Sequence, residues 1–295
     1  MIHLKKDSEI KIMDEGGKIL DSVLEILLAN IKPGITLLQL DKIAENEIKT
    51  RGAKPSFQLV PGYRWSICAC INDVVVHGVP NDYVIKGGDI IGIDCGVYYK
   101  GFHTDASWTV RVNPSTTLRT RSQSAIRQLA ERTKVKSETE IDKFLKAGVK
   151  ALHLAINQMK IGNYIYDISA AIQSTIESSG YCVVTSLVGH GVGRKLHEEP
   201  EIPGVVPPQR DPANSAVIRS ARTLTPKLIP GMTLAIEVIY NMGNSAVTKP
   251  GRDGWTIKTG DGKISGLFEA TVAVTSHGCL VLSPYSTIYG SSRSY

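Results

Sequence analysis

Three strand-like apolar segments of the sequence each contain a single carboxylate. Asp94 directly follows the apolar run 90–93, while Glu237 and Glu269 are the only charged residues in segments 231–240 and 265–275. A buried carboxylate without a cationic partner costs free energy, so something cationic should accompany each acid. One such acid could lie at a strand edge. Three of them favour a fold whose strands bring their acids to a shared cation.

Asp94 has a second aspartate close by in the sequence. Segment 88–97 is typical of a turn that enters a strand, and segment 98–105 of a hairpin turn with a return strand that carries Asp105. Two aspartates eleven residues apart across such a turn can lie opposite each other on one face of an antiparallel pair. The alternative is that Asp94 caps a turn and that Asp105 is solvated.

A glycine-rich segment, 189–200, contains two histidines. His190 lies between two glycines, and His197 is followed by two glutamates and a proline. Glycines beside a histidine let the backbone approach a bound ion or substrate because no Cβ is in the way. By itself the segment could be an ordinary loop, and its interpretation depends on the carboxylates elsewhere in the chain.

The four carboxylates and His190 form a candidate set of metal ligands. Oxygen and imidazole ligands suit divalent ions such as Mn, Fe, Co or Zn. Four carboxylates on one ion would leave excess negative charge, whereas two adjacent ions bridged by acids balance that charge better. The predicted cofactor is therefore a pair of divalent ions that activates a water molecule.

The order Asp-Asp-His-Glu-Glu, with these surroundings, resembles the type I methionine aminopeptidases, which belong to the pita-bread metallopeptidases. The resemblance extends over nearly the whole chain, from about residue 10 to about residue 275. It implies removal of the N-terminal methionine from nascent proteins and peptides by metal-activated water. The metal ligands that it implies are Asp94, Asp105, His190, Glu237 and Glu269.

The resemblance also assigns a role to each ligand. Asp94 would bind one ion, and Asp105 and Glu269 would bridge both ions. His190 and Glu237 would complete the coordination of the second ion. Glu237 would in addition take a proton from the attacking water as general base.

Two histidines, His77 and His197, match the family's substrate contacts. A lone histidine at the end of an apolar strand, as His77 is, would more often be a core or turn residue. By the resemblance, His197 would polarise the scissile carbonyl and His77 would hydrogen-bond the scissile amide nitrogen. The residues that match the family's methionine pocket are Tyr63, Cys68, Leu196 and Trp255.

Three residues depart from the family's pattern. Phe57 stands where a smaller thiol side chain is often found, which changes the expected shape of the pocket. Val238 and Ala270 follow the fourth and fifth ligands, where the family often has proline and histidine. We expect both to alter the surroundings of the ligands and so to tune metal affinity.

The predicted fold class is α+β, with a central antiparallel sheet and internal pseudo-two-fold symmetry. Each half contains a helical pattern that ends at a glycine, 38–50 in one half and 167–178 in the other, and later a glycine turn that opens an acid-bearing strand. Such repetition fits two halves around one cleft, and the resemblance identifies the pita-bread fold. We predict one catalytic domain over 1–295, with halves of about 1–150 and 151–285. Surface insertions are predicted at about 116–144 and 204–229.

Composition limits where the protein works and what it binds. No run of about 18 apolar residues exists, so no membrane span is expected. Five cysteines without paired spacing indicate reduced thiols, which together with a start that lacks an apolar signal core predicts a cytoplasmic protein. The net charge of +6 could support weak ribosome association, although ordinary solvated lysines explain it better. The family resemblance predicts a monomer that acts on chains with a small second residue.

Two other functions remain open from the sequence. An X-Pro aminopeptidase of the same fold would usually carry a separate N-terminal domain, and Asp94 comes too early to leave room for one of full size. A non-catalytic pita-bread binding protein would typically have lost metal ligands, whereas all five are present here. A type II methionine aminopeptidase would carry a long helical insertion, which the proline-rich segment 204–229 does not match.

Overall fold

The first half of the chain begins with two helices and continues into strands. A computed structural model describes residues 1–113, 139–207 and 221–283 of the 295-residue chain. Helix α1 spans Asp7–Asn30 and helix α2 spans Leu37–Thr50. Thr36 and Gln39 form a reciprocal capping box at the start of α2, which satisfies two backbone amides that the helix cannot pair internally. The helix predicted over 38–50 is thereby confirmed.

The strands of the first half follow these helices. They are β1 (Lys54–Pro55), β2 (Ile67–Ile71), β3 (Val74–Val76), β4 (Ile90–Tyr99) and β5 (Phe102–Arg111). A short 3₁₀ helix, Phe57–Leu59, lies between β1 and β2. The predicted hairpin is formed by β4 and β5, which pair without interruption from Tyr99↔Phe102 to Ile90↔Arg111.

The second half repeats this order of a helix pair followed by strands. Helix α3 spans Glu140–Ile156, so it crosses the boundary predicted near residue 150 and begins inside the predicted insertion 116–144. Helix α4 spans Ile165–Ser178, which confirms the helix predicted over 167–178. The strands that follow are β6 (Cys182–Val183), β7 (Val188–Gly191), β8 (Glu198–Pro203), β9 (Thr233–Asn241), β10 (Ile257–Lys258), β11 (Ser265–Thr275) and β12 (Gly278–Val281).

Ten of the described strands, from both halves, join in one antiparallel sheet, and β3 pairs with β10 in a separate two-stranded sheet. Within the described residues the order of the larger sheet is β1-β4-β5-β11-β9-β7-β8, with β2 added to β4, β12 to β11 and β6 to β9. Strand β11 lies between β5 of the first half and β9 of the second half. The central antiparallel sheet predicted from the sequence is therefore confirmed, and β11 is the strand that connects the halves.

The helices cover one face of this sheet. Helix α1 contacts β4 and β5, and α3 contacts β9 and β11. Residues at alternate strand positions, such as Ile93, Val238 and Ala270, join the helices in the main hydrophobic core. Since side chains alternate between faces along a strand, the residues next to these in sequence lie on the other face. That face carries the acids.

This alternation overturns one expectation from the sequence. Val238 and Ala270 are almost fully buried in the helix-side core, so their side chains lie on the opposite face of the sheet from Glu237 and Glu269. The expectation that they alter the immediate surroundings of the ligands is wrong. Their small apolar side chains instead fill the core between sheet and helices.

The predicted insertions fall largely outside the described residues. Residues 116–138 of the first and 208–220 of the second are not described, so the insertions stay predictions. At the end of the second predicted insertion, Leu228 is fully buried, and the backbone of Lys227 forms an isolated antiparallel β-bridge with that of Tyr164. In the described part of the chain, no helix is long and apolar enough to cross a membrane. All five cysteines are free thiols, as predicted.

Candidate metal centre and substrate cleft

Four adjacent strands present one carboxylate each to the face of the sheet that lies away from the helices. Glu269 on β11 is directly opposite Glu237 on β9 and, on its other side, opposite Ser107 on β5. Asp94 on β4 is also opposite Ser107, while Asp105 is opposite Gly96. The two aspartates are therefore diagonal neighbours rather than a directly opposite pair. They still share a face because an offset of two residues preserves the side-chain direction.

His190 reaches the same centre from β7. Its ring Nδ1–H donates a hydrogen bond to the carbonyl oxygen of Gly191 (2.8 Å), which leaves Nε2 directed at the acids, 3.6 Å from Oε1 of Glu237. A Cβ at Gly189 would lie 2.6 Å from the carbonyl oxygen of Ala235, and one at Gly191 would lie 2.3 Å from that of Glu199. The flanking glycines thus let neighbouring strands approach β7, a different reason from the close approach of a ligand that the sequence suggested.

The electrostatics of this cluster match an anionic site that requires a cation. Burial raises the pKa of Asp94 to about 7. Burial, followed by repulsion from the neighbouring carboxylates, holds the pKa values of Asp105, Glu237 and Glu269 well above their usual range. Burial lowers the pKa of His190 to about 4, so its imidazole is neutral at pH 7 and can act as a ligand.

The donor atoms are also suitably placed for a metal ion. Ligand atoms of Asp105, His190 and Glu269 all lie within 4.8 Å of one another. Oδ1 of Asp94 and Oε1 of Glu269 are buried without a hydrogen-bond partner among the described residues. Buried oxygens are rarely left unpaired, because losing water without a replacement partner costs free energy. The residues present therefore fit divalent metal binding.

A cleft of about 640 Å³ opens directly beside the acids. Its apolar wall contains every residue that the sequence assigned to the methionine pocket, together with Phe57. Tyr63 supports this wall, since its ring makes edge contacts with Phe57 and Trp255. The wall residues are Phe57, Tyr63, Cys68, Leu196 and Trp255.

Sequence reasoning missed three apolar residues that line the cleft, Val60, Val76 and Leu267. One of them had a usable signal. Val60 follows Phe57 by three residues at the end of a 3₁₀ helix, where side chains at i and i+3 lie on the same side. Val76 and Leu267 come from strands of different halves and different sheets, so only the assembled fold brings them together.

The two substrate histidines predicted from the sequence lie at the mouth of the cleft. The ring of His197 packs edge-on against that of His190, with centroids 4.4 Å apart. His77 directly follows β3 and lies in the left-handed region, with φ of 55°, a conformation that costs energy for a non-glycine residue. Desolvation lowers the pKa of both His77 and His197, so both imidazoles are neutral at pH 7. Each can therefore donate one hydrogen bond and accept another.

Known proteins share this chain's sequence and fold over nearly its whole length. The model of metallopeptidase family M24 matches residues 11–276. A methionine aminopeptidase of Clostridium perfringens is 39% identical over 283 residues, covering 96% of this chain and 99% of that protein. Methionine aminopeptidase 1 of Bacillus subtilis is 38% identical with the same coverage.

Solved structures agree with these relatives. The methionine aminopeptidase of Thermotoga maritima superposes with a TM-score of 0.78 at 32% identity, covering 96% of this chain and 99% of that one. The prolidase of Pyrococcus furiosus has a TM-score of 0.65 at 21% identity, and this chain covers 65% of its length. That likeness shows the shared fold alone. The chain thus belongs to metallopeptidase family M24, within which its full-length similarity groups it with the methionine aminopeptidases.

Proposed function

We propose that this protein removes the N-terminal methionine from peptides and nascent polypeptides by hydrolysing the first peptide bond. The observation that carries the proposal is the position of the acid cluster, which lies directly beside an apolar cleft of about 640 Å³. A thioether side chain fits such a flexible apolar wall. The methionine aminopeptidase relatives, at up to 39% identity across the chain, support the same reaction.

Divalent ions supply the activated water in this proposal, since they lower the pKa of water towards neutrality. The ligands are Asp94, Asp105, His190, Glu237 and Glu269. We infer two ions per chain, because four buried carboxylates carry twice the charge that one divalent ion neutralises. Cobalt, manganese, iron and zinc all suit this mixture of oxygen and imidazole ligands.

The chain's own side chains complete the proposed mechanism. Glu237 accepts the proton of the attacking water as general base. His197 donates a hydrogen bond to the scissile carbonyl oxygen and stabilises the negative charge that develops there. His77, on the other side of the cleft mouth, hydrogen-bonds the scissile amide nitrogen as the amine leaves.

The walls of the cleft account for the proposed specificity. Tyr63, Cys68, Leu196 and Trp255 enclose the methionine side chain, and Phe57 narrows one end of the cleft. A small second residue is favoured because a bulky one would strike the residues at the cleft mouth. We further propose a single catalytic domain over 1–295, working as a monomer with weak, charge-dependent contact to ribosomes.

The first test is methionine release by metal-stripped protein to which Co, Mn, Fe or Zn is added back. Methionine should be released from Met-Gly-Met in a metal-dependent manner, and an X-Pro peptide of equal length should remain intact. Cleavage of the X-Pro peptide alone would replace the proposal with a proline-specific function. Failure to cleave either peptide with folded, metal-loaded protein would leave a binding role.

Two variants separate substrate contact from metal binding. His197→Ala should keep the bound metal and the fold but lower kcat by about 10²-fold, the usual effect of removing one oxyanion donor. Asp105→Ala should lose metal and activity together, as measured by metal analysis of the purified protein. Unchanged turnover in the first variant, or retained metal in the second, would contradict the assigned roles.

A further inference from the structure

A buried ion pair lies beside the loop that carries Leu196 and His197. Nζ of Lys5 is 2.5 Å from Oε2 of Glu198, and the two side chains are only 4% and 3% exposed. Nζ of Lys5 also donates to the carbonyl oxygen of His3 (2.9 Å). Because removing two charges from water is costly, a buried pair persists only where the geometry and the extra hydrogen bonds are good.

The loop between β7 and β8 is built around this lysine. A Cβ at Gly193 would lie 2.2 Å from Cε of Lys5, so the lysine side chain packs directly against this glycine. The carbonyl oxygen of Gly193 accepts a hydrogen bond from the backbone amide of His103 on β5 (2.7 Å). Oε1 of Glu198 accepts one from the backbone amide of Lys195 (3.0 Å). Segment 193–198 is thus held at Gly193 by the amide of His103 and at Glu198 by the side chain of Lys5.

The backbone of Lys5 is fixed as firmly as its side chain. Its amide donates to the carbonyl oxygen of Gly231 (2.7 Å), in the turn that opens β9. A Cβ at Gly231 would lie 2.8 Å from the carbonyl oxygen of Lys5, so the two backbones are in close contact. Lys5 therefore links the turn before the strand of Glu237 to the loop of His197.

We propose that Lys5 is a positioning residue for the reaction, and that its ion pair with Glu198 holds His197 and Leu196 at the cleft. This inference rests on the proposed function, because His197 matters only if it contacts a substrate. Glu198 directly follows His197 in the chain, so a displaced Glu198 moves the histidine with it.

The structure also shows where Glu198 would move. It lines a wider groove of about 1310 Å³ that continues outward from the catalytic cleft past His77 and His197. Without the lysine ammonium, a buried carboxylate gains free energy by turning into this groove and regaining water. None of the five metal ligands lies in segment 193–198, so the same change should leave metal binding intact.

The test uses Lys5→Met, which keeps an unbranched side chain of similar length but removes the charge. Lys100→Met is the matched control, because Lys100 pairs with Glu15 on the exposed surface. With metal-loaded protein at a temperature where all variants are folded, Lys5→Met should lower kcat for Met-Gly-Met by about 10²-fold, the effect of a displacement near 1 Å. Manganese binding by calorimetry should be unchanged, and the control should match wild type.

Two further measurements distinguish positioning from general stability. Glu198→Gln should lower kcat similarly. The kcat of the double variant should equal that of the less active single variant, because both changes break the same interaction. Hydrogen exchange should rise in segment 193–198 of Lys5→Met and stay unchanged in β9 and β11. An unchanged kcat in folded Lys5→Met, multiplicative losses in the double variant, or unchanged exchange in the loop would each overturn the inference.

Failure of this inference can be told apart from failure of the proposed function. If wild type releases no methionine, the proposed function fails, and the exchange of segment 193–198 alone then decides whether Lys5 holds the loop. If wild type is active and Lys5→Met is equally active, only the inference fails. Should Lys5→Met not fold, Glu198→Gln tests the same ion pair with the lysine in place.

Discussion

Replacing Glu269 with glutamine should stabilise the metal-free protein and destabilise the metal-loaded one. Glu269 is 4% exposed on the central strand, and its pKa is held well above its usual range by burial and then by the charge of Asp105. Ligand oxygens of the two residues lie within 4.8 Å. Two unit charges at that distance repel by about 3.5 kcal/mol at an effective dielectric constant near 20.

This repulsion sets the expected size of the effect. Partial protonation of the acids relieves some of it, so the free energy of unfolding of the metal-free variant should rise by about 1–3 kcal/mol. With metal at 1,000 times its Kd, wild type gains about 4.1 kcal/mol from binding, and the variant loses most of that gain with its ligand. The order of stability of the two proteins should therefore reverse when metal is added.

Calorimetric melting in chelator and in saturating manganese measures this reversal directly. Each kcal/mol corresponds to about 2–4 °C in Tm for chains of 150–250 residues, with a slightly smaller shift for a longer chain. Glu177→Gln is the control, because Glu177 is exposed near the end of helix α4 and should not change Tm in either condition. If Glu269→Gln melts below wild type in chelator, the acid cluster is not a source of repulsion and the reasoning is refuted.

Three further changes probe the core, the surface and the cleft. Gly148→Ala should lower the free energy of unfolding by about 1–3 kcal/mol in chemical denaturation, because its Cβ would lie 2.4 Å from the buried ring of Phe268; a neutral result would contradict this packing. Glu45→Gln should cost about 0.5 kcal/mol at pH 7, since a hydrogen bond from Lys49 lowers the pKa of Glu45 to about 2. That difference should disappear as the pH falls from about 4.5 to about 2, and a constant difference would exclude the charge as its cause. Trp255→Ala should raise KM for Met-Gly-Met by about tenfold with little change in bound metal, and an unchanged KM would remove Trp255 from the pocket.

The face on which each acid lies could be predicted from the sequence. Side chains alternate along a strand, so the apolar neighbours of Asp94, Glu237 and Glu269 assign the acids to the face away from the core. The same rule shows why the expectation for Val238 and Ala270 was wrong. Adjacency in sequence was taken for adjacency in space, whereas consecutive strand residues lie on opposite faces of the sheet.

The sequence by itself determined the elements whose signals are local. Apolar runs that contain one carboxylate predicted the acid-bearing strands, and the helical patterns of 38–50 and 167–178 predicted α2 and α4, because these signals lie within a few neighbouring residues. The glycine-rich segment around His190 differs from these elements, because by itself it could be an ordinary loop and its interpretation depended on carboxylates elsewhere in the chain.

Only the tertiary structure decided the contacts between distant segments. Strand β11 pairs with β5 of the first half and β9 of the second, and no local sequence pattern predicts these pairings. The left-handed conformation of His77 likewise depends on contacts with distant residues. Lys5 and Glu198 are separated by 193 positions and look like ordinary surface residues in the sequence. Their charge is buried together only because the sheet brings the turn before β9 and the loop of His197 into contact. The ion pair therefore exists only in the folded chain, where the attraction between Lys5 and Glu198 offsets the cost of removing both charges from water.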